Sequence, residues 1–568
     1  MSSRHDRAEE KVLAALADLA NGISDPSVTG TTPLSRPQSP RTLRGILRIF
    51  MKDRKRNAPS HARRRHHRGG RLSGSNGSLR AAGTSGLAPR ETAPGSLNAF
   101  YDVPTFTFKR NEARGLFISA LFIAALIIWH LGWEPLVLIG CALPSITIRG
   151  SAWIMSWFDR PSVVKSEASR RRLDNLFVTV AVPAYNEDPG LLDRCIWGLV
   201  NQSRPPQLVW IVDDGSSVDY SALRQHWEGR WPGGVEVRWS RQPNQGKRCA
   251  HALVFGSDAE ADIFVTVDSD TTLDYRAIEE GLKPFQSRDV MSVAGMEMGF
   301  NAYANFLTRL QCSLQLYAQA VIGAAWSFAG DMYTNRGPFA LYRAPMVREF
   351  LPVYRDETFF GRRVILGDDS LLALCASSRG RSVQQLTAFG LTMWPENFSH
   401  HARQRIRWSR GRAVRNFWRV KYRPFMSYIW WFTVCEIYDL LLSVCLIALL
   451  VATWPSSESF AIRLGIALLL LSIPNSLRAL CFHRSDETLA DRIGLVLIRP
   501  VAAVWASLVL SRFIRLWGTM TLRRQGWTTR QHGAENVLEG TPSPAHVLEG
   551  TPSPAHVDAR DLATAQRN

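Results

Sequence analysis

FVTVAVPAYNEDPGLLDRCIWGLVNQSRPPQLVWIVDDGS, residues 177–216, decides the fold. It opens on a β-rich apolar run, FVTVAVPAY (177–185), and closes on a second, LVWIVDDGS (208–216). The helix-like PGLLDRCIWGLV (189–200) lies between them. VEVRWS (235–240) and DIFVTVDSD (262–270) repeat the strand signal, with the helix-like KRCAHALVF (247–255) separating them. Strand and helix in alternation predict an α/β domain over residues 173–400, built on a parallel sheet with ligands at the carboxyl ends of its strands. Acidic residues end two of these strands, at Asp213–Asp214 and at Asp268/Asp270.

The flanks are of another kind. Upstream, residues 115–148 are nearly continuous apolar sequence broken by HLGWEP (130–135), which predicts a transmembrane hairpin over residues 112–150. Lys109, Arg110 and Arg114 precede it, and Arg160, Lys165 and Arg170–Arg172 follow; basic flanks on both sides place both ends in the cytoplasm. Downstream, residues 401–426 form a basic aromatic stretch read as an interfacial helix, and residues 427–520 hold apolar segments at about 427–453, 460–482 and 493–520. The first two are read as spans and the third, which carries Arg499–Pro500, Arg512 and Arg515, as interfacial. The expected product is a multi-pass protein of the cell membrane with its α/β domain in the cytoplasm. The lipid bilayer is its first partner.

Composition sets the outer limits. A chain of 568 residues that is 46% hydrophobic is too long for one ordinary domain and too apolar to be mainly disordered. Its net charge of +19 is concentrated, since residues 41–72 hold twelve Arg and Lys against Asp53 alone. Residues 1–100 are read as a disordered basic region, attracted to anionic lipid; no nucleic-acid partner is expected. The polar start gives no cleavable signal peptide. Eight cysteines without a CxxC spacing argue for reduced thiols over a disulfide framework or a zinc site. Residues 521–568 end in a tandem decapeptide, VLEGTPSPAH, at 537–546 and 547–556, read as a disordered duplication.

The chemistry-bearing residues lie in short motifs. Asp268 and Asp270, one residue apart at a strand end, can address a divalent cation through hard oxygens, and such a cation can neutralise a diphosphate leaving group. A solvated acidic turn would look the same. Asp213 and Asp214, in DDGS, can accept hydrogen bonds from a ribose or uracil, with Gly215 allowing close backbone approach. Tyr185 and Glu187 offer an aromatic face and a polar group beside the same sheet edge. Gln245-Gly246-Lys247-Arg248 opens a helix, so backbone donors and two cations can meet phosphate oxygens. Asp368 and Asp369 precede LLALCASSRG, where acids at a helix start are favourable anyway; the functional alternative is a general base for an acceptor hydroxyl. Gln404, Arg407 and Trp408 share a helical face able to hold a diphosphate and stack a sugar.

VPAYNE, DDGS, DSD, GDD and QRIRW, in this order and flanked by membrane segments, resemble the processive family-2 glycosyltransferases over roughly residues 173–530. Within them the likeness is greatest to the hyaluronan and chitin-oligosaccharide synthases, through QGKR, SVAG, RGPFALYR and GWTTR. The resemblance implies a GT-A (Rossmann-like) catalytic domain inserted in an α-helical transmembrane bundle. It implies UDP-sugar donors, a growing polysaccharide acceptor and Mg²⁺ or Mn²⁺. Asp214 would meet the uridine, Asp268 and Asp270 the metal–diphosphate, and Asp369 would be the base. Gln404, Arg407 and Trp408 would form the acceptor and diphosphate site, with Trp527 and Arg530 on a gating segment. GDDS replaces the usual GDDR, WTTR replaces WGTR, and Asn335-Arg336-Gly337-Pro338 stands at the GGP-type segment. Three rivals follow: a single-sugar β-glycan synthase, a lipid-carrier glycosyltransferase and a non-catalytic membrane scaffold.

Overall fold

The computed structural model describes residues 106–109, 136–454, 458–459, 462, 472, 477–506 and 513–523. The basic region 1–100, most of the first apolar stretch, much of 460–482, and Trp527, Arg530 and the duplicated tail lie outside the described residues.

Thirteen strands occur among the described residues. They are β1 (Phe106–Phe108), β2 (Val178–Ala184), β3 (Leu208–Asp213), β4 (Gly229–Trp231), β5 (Val235–Arg241), β6 (Ile263–Val267) and β7 (Thr272–Leu273), followed by β8 (Val290–Gly299), β9 (Phe339–Arg343), β10 (Thr358–Phe359), β11 (Arg362–Arg363), β12 (Arg381–Thr392) and β13 (Phe482–Arg484). Nine of them form one sheet in the order β4-β5-β3-β2-β6-β9-β8-β12-β7. The sequence expectation of a parallel sheet holds for β5, β3, β2 and β6. It holds again for β8 and β12, but β9 runs antiparallel to both β6 and β8, and β4 and β7 are antiparallel to their neighbours, so the sheet is mixed. Every residue of β3 and β6 is buried, as strands covered on both faces must be.

Local chemistry explains the helices that carry the site. Pro189–Val200 starts where the Asp188 side chain accepts from the Leu191 amide, and it packs Leu192, Cys195, Ile196 and Leu199 into the core. Lys247–Ser257 starts at Gly246, whose φ of +92° suits glycine. Asp368–Arg379 begins with its two acids in the first turn, favourable against the helix dipole. Phe398–Tyr422 is capped by the Asn397 side chain and contains the whole QRIRW run.

Among the described residues no helix is long and apolar enough to cross a membrane, so the expected bundle is not seen here. The Tyr428–Ala452 helix carries Glu436 and Asp439, and Glu436 is ion-paired with Arg149, Arg412 and Arg515. The described parts of the third apolar segment include the helices Leu489–Leu497, Arg499–Trp505 and Arg515–Met520. The last lies against the QRIRW helix, where Gly518 leaves room for Ser409. β1 pairs with β13, and Phe106 stacks on Phe389 of β12 with ring centroids 4.7 Å apart.

Candidate active site

The carboxyl ends of β3 and β6, the helix starts at Lys247 and Asp368, and the QRIRW helix enclose one cavity of about 1440 Å³. Tyr185, Asp214, Lys247, Asp268, Asp270, Asp368 and Asp369 all line it, as do Gln404, Arg407 and Trp408. Motifs spread over more than two hundred residues of sequence therefore share one space.

At the β3 end, Asp214 is buried and its carboxylate is well supplied with donors. Gln242 Nε2 donates at 2.7 Å, and the Gln245 and Gly246 amides donate at 3.0 and 2.8 Å. Burial raises its pKa while these hydrogen bonds pull the other way. The backbone donors expected to meet phosphate are thus engaged by Asp214. Gly215, at φ +79°, does require glycine, because a Cβ there would lie 2.7 Å from the Asn244 amide. The close approach is to the chain's own loop. Asp213 accepts from the Ser216 amide at 2.8 Å and is not on the cavity wall. Glu187 is also off the wall; it accepts from Ser269 Oγ at 2.8 Å and so braces the turn between Asp268 and Asp270.

At the centre stands Lys247. Its ammonium lies 2.5 Å from Asp268 Oδ1 and 3.3 Å from Asp368 Oδ2. Burial would lower its pKa, but the two carboxylates outweigh burial and hold it above the usual lysine range. Asp368 is held low in turn: its burial cost is overcome first by Lys247. Asp369 behaves oppositely. Burial and the neighbouring Asp368 charge raise its pKa, and Thr334 donates to its Oδ2 at 2.7 Å. One ionised and one proton-seeking carboxyl stand side by side, the arrangement expected of an acid–base pair.

Arg248, expected to meet phosphate, is engaged within the chain. Only 3% exposed, it donates to Glu357 Oε2, the Val364 carbonyl and the Leu366 carbonyl at 2.8, 2.9 and 2.5 Å. Glu357 also receives Arg415 at 2.7 and 2.8 Å and the Trp418 indole at 2.9 Å. This buried knot joins the Lys247 helix, the segment 364–366 that leads to Gly367-Asp368, and the QRIRW helix. On that helix the Arg405 guanidinium covers the Trp408 ring at 4.7 Å, fixing the indole that the acceptor reading needs.

Asp268 and Asp270 suit a divalent ion of the Mg²⁺ kind, which takes one or two carboxylates and completes its shell with phosphate and water. Among the described residues no group of three or more His, Cys, Asp or Glu is arranged to hold a metal unaided. Sequence reasoning passed over Thr334, Arg336, Arg405 and Glu297, all on the cavity wall. Thr334 and Arg336 belong to the TNRGPF segment, whose motif likeness was the available signal; Glu297 had none.

The glycosyl transferase family 2 model matches residues 179–345, and the model of glycosyl transferase family group 2 matches residues 263–475. A hyaluronan synthase from Streptococcus pyogenes is 31% identical over 367 residues, covering 62% of this chain and 83% of the relative. An N-acetylglucosaminyltransferase from Rhizobium meliloti (strain 1021) is 28% identical over 263 residues, covering 44% and 59%. Among solved structures, the mannosyltransferase PcManGT from Pyrobaculum calidifontis, in complex with GDP-Man and Mn²⁺, has a TM-score of 0.41 at 17% identity, covering 65% of this chain and 98% of that one.

Proposed function

The chain belongs to glycosyltransferase family 2, and from that premise we propose that it is a membrane-embedded, processive, inverting synthase that polymerises UDP-GlcNAc and UDP-glucuronate into a hyaluronan-like β-glycan and exports it. The observation that carries the reading is the continuity of the cavity. It runs from Asp214 past Asp268 and Asp369 to Ser472 and Arg515, so nucleotide end, transfer point and C-terminal helices share one space. Its volume of about 1440 Å³ exceeds the roughly 300–1,000 Å³ of a pocket for one small ligand, and accommodates a donor together with an acceptor chain.

In this mechanism Asp214 and Tyr185 receive the nucleoside. Asp268 and Asp270 would hold Mg²⁺ or Mn²⁺, which when bound supplies positive charge against the departing diphosphate. Asp369 takes the proton of the acceptor hydroxyl, helped by its raised pKa and oriented by Thr334. The acceptor oxygen forms its bond to the anomeric carbon as the bond from that carbon to phosphate oxygen breaks, and UDP leaves. One displacement inverts the centre and gives a β-linkage. Trp408, braced by Arg405, stacks the acceptor sugar, and Arg407 with Gln404 borders the diphosphate.

Membrane embedding draws support from the pairing of β1 with β13, reinforced by the Lys109 amide donating to the Cys481 carbonyl at 2.8 Å. Residues 106–109 and 477–484 both sit against the catalytic domain. In this reading each long apolar stretch begins and ends on the side of the catalytic domain. The basic flanks make that side cytoplasmic.

The test is UDP release and product sizing in purified membranes with Mn²⁺, giving UDP-GlcNAc and UDP-glucuronate singly and together. The expected result is a high-molecular-weight product that needs both donors and is digested by hyaluronidase. Polymer from UDP-GlcNAc alone would assign the chain to chitin-type synthesis, and short products would remove processivity.

A further inference from the structure

Glu297 is a buried acid that none of the motifs accounts for. It lies near the end of β8, is only 5% exposed, and lines the same cavity as Asp268 and Asp369. A carboxylate at such depth is costly unless partnered. Its placement is nevertheless fixed twice over. The Glu297 amide donates to Gln319 Oε1 at 2.7 Å, and Gln319 Nε2 returns a bond to the Glu297 carbonyl at 2.8 Å. Gln315, one turn earlier, donates its amide to Glu297 Oε1. Both glutamines are buried, and Gln319 lies in the π-helical turn Ala318–Gly323, a local irregularity often found at functional sites.

The electrostatic surroundings show what the acid faces. Burial pushes its pKa up to about 7; Arg336 and Arg405 draw it down, while Asp268 and Asp369 push it further up. Asp268 marks the diphosphate end of the transfer point and Asp369 the acceptor end. Glu297 lines the cavity together with both, and so borders the place where the donor's sugar ring must lie. Gln315 engages Oε1, and no hydrogen bond of the described residues involves Oε2. A carboxyl oxygen held on the wall of this cavity can accept from hydroxyl or amide donors.

We propose that Glu297 is a donor-sugar recognition residue: its carboxyl group, fixed by Gln315 and Gln319, accepts hydrogen bonds from the transferred sugar and makes no contact with the nucleotide. It favours a neutral sugar bearing hydroxyl or amide donors over a uronate, whose carboxylate it repels. The inference rests on the nucleotide-sugar reading above and adds a residue that sets the choice of sugar.

The test compares the wild-type chain with E297Q and E297A, in membranes, using UDP-GlcNAc, UDP-glucuronate and GDP-mannose as donors and the nucleoside diphosphates as inhibitors. E297Q keeps the shape and can still pair with Gln315. The expected result is a roughly tenfold rise in KM for UDP-GlcNAc, equivalent to about 1.4 kcal/mol, with the Ki of UDP unchanged. The preference for UDP-GlcNAc over UDP-glucuronate should fall in both variants. A purely structural role would move KM and Ki together. Parallel changes, or an unchanged KM and an unchanged donor preference, would overturn the proposal. Should GDP-mannose prove the better donor, the uridine assignment fails, while the split between its KM and the Ki of GDP still reports on Glu297.

Discussion

Asp214 and the Asp368–Asp369 pair stand on the wall of one cavity but are held by different means. Asp214 is served by Gln242, Gln245 and Gly246, all neutral and all in the single loop that follows β5. The pair at 368–369 depends on several elements: Lys247 from another helix, Thr334 from the segment before β9, and the Glu357 knot behind the segment 364–366 that leads into it. The β3 end of the site thus takes its donors from one loop of neutral groups, 28 to 32 residues along the chain. The 368–369 end takes its partners from several separate elements, with the Lys247 charge among them. A neutral local clamp fixes position, whereas a remote charge also sets protonation, and only the second end needs a base.

The largest break in this contrast should come from Asp369→Asn. Removing the base is expected to lower kcat by about 10²–10⁴-fold while UDP binding persists. In the wild type the acid limb of kcat/KM should lie above the range of an ordinary aspartate, because burial and Asp368 favour the protonated form; activity rises with pH through that limb. The limb should vanish in the variant. A normal rate in Asp369→Asn would transfer the role of base elsewhere.

Glu357→Gln should come next. It leaves the Arg248 and Arg415 guanidinia buried with no carboxylate between them, and breaking a buried pair in this way costs about 3–5 kcal/mol. The loss should appear as a lower unfolding temperature and as reduced activity, since Asp368 and the QRIRW helix lose a common anchor. Activity lost without stability would show that the knot tunes charge and is not a scaffold.

Asp214→Asn is the mildest. One oxygen then replaces two, and the new amide nitrogen confronts the Gln245 or Gly246 amide. The expected cost is about 1–3 kcal/mol of stability, with KM for the donor raised more than kcat is lowered. An effect as large as that of Glu357→Gln would erase the distinction between a local and a long-range end.

Much of this was legible before folding. An acid that follows an apolar run must emerge at a strand end, so Asp214, Asp268 and Asp270 could be placed from order alone. Helical spacing put Gln404, Arg407 and Trp408 on one face, and all three line the cavity. Arg248 and Glu187 were legible as polar groups near the site but not as to what they touch, because a long cation and a carboxylate bind whichever partner folding brings. The antiparallel entry of β9 was hidden as well. Fully buried strands are apolar on both faces whatever their direction, so FALYR reads the same running either way.

The sequence by itself determined the glycosyltransferase domain, the order of its motifs and the strand ends that carry the acids, since these follow from local periodicity and chain connectivity. Only the tertiary structure decided that Lys247 bridges Asp268 and Asp368, that Asp369 is the member of the 368–369 pair with the raised pKa, and that Glu297 joins the site. Those outcomes depend on burial and on charges brought within a few ångströms from distant positions, and neither is written in any local stretch of the chain.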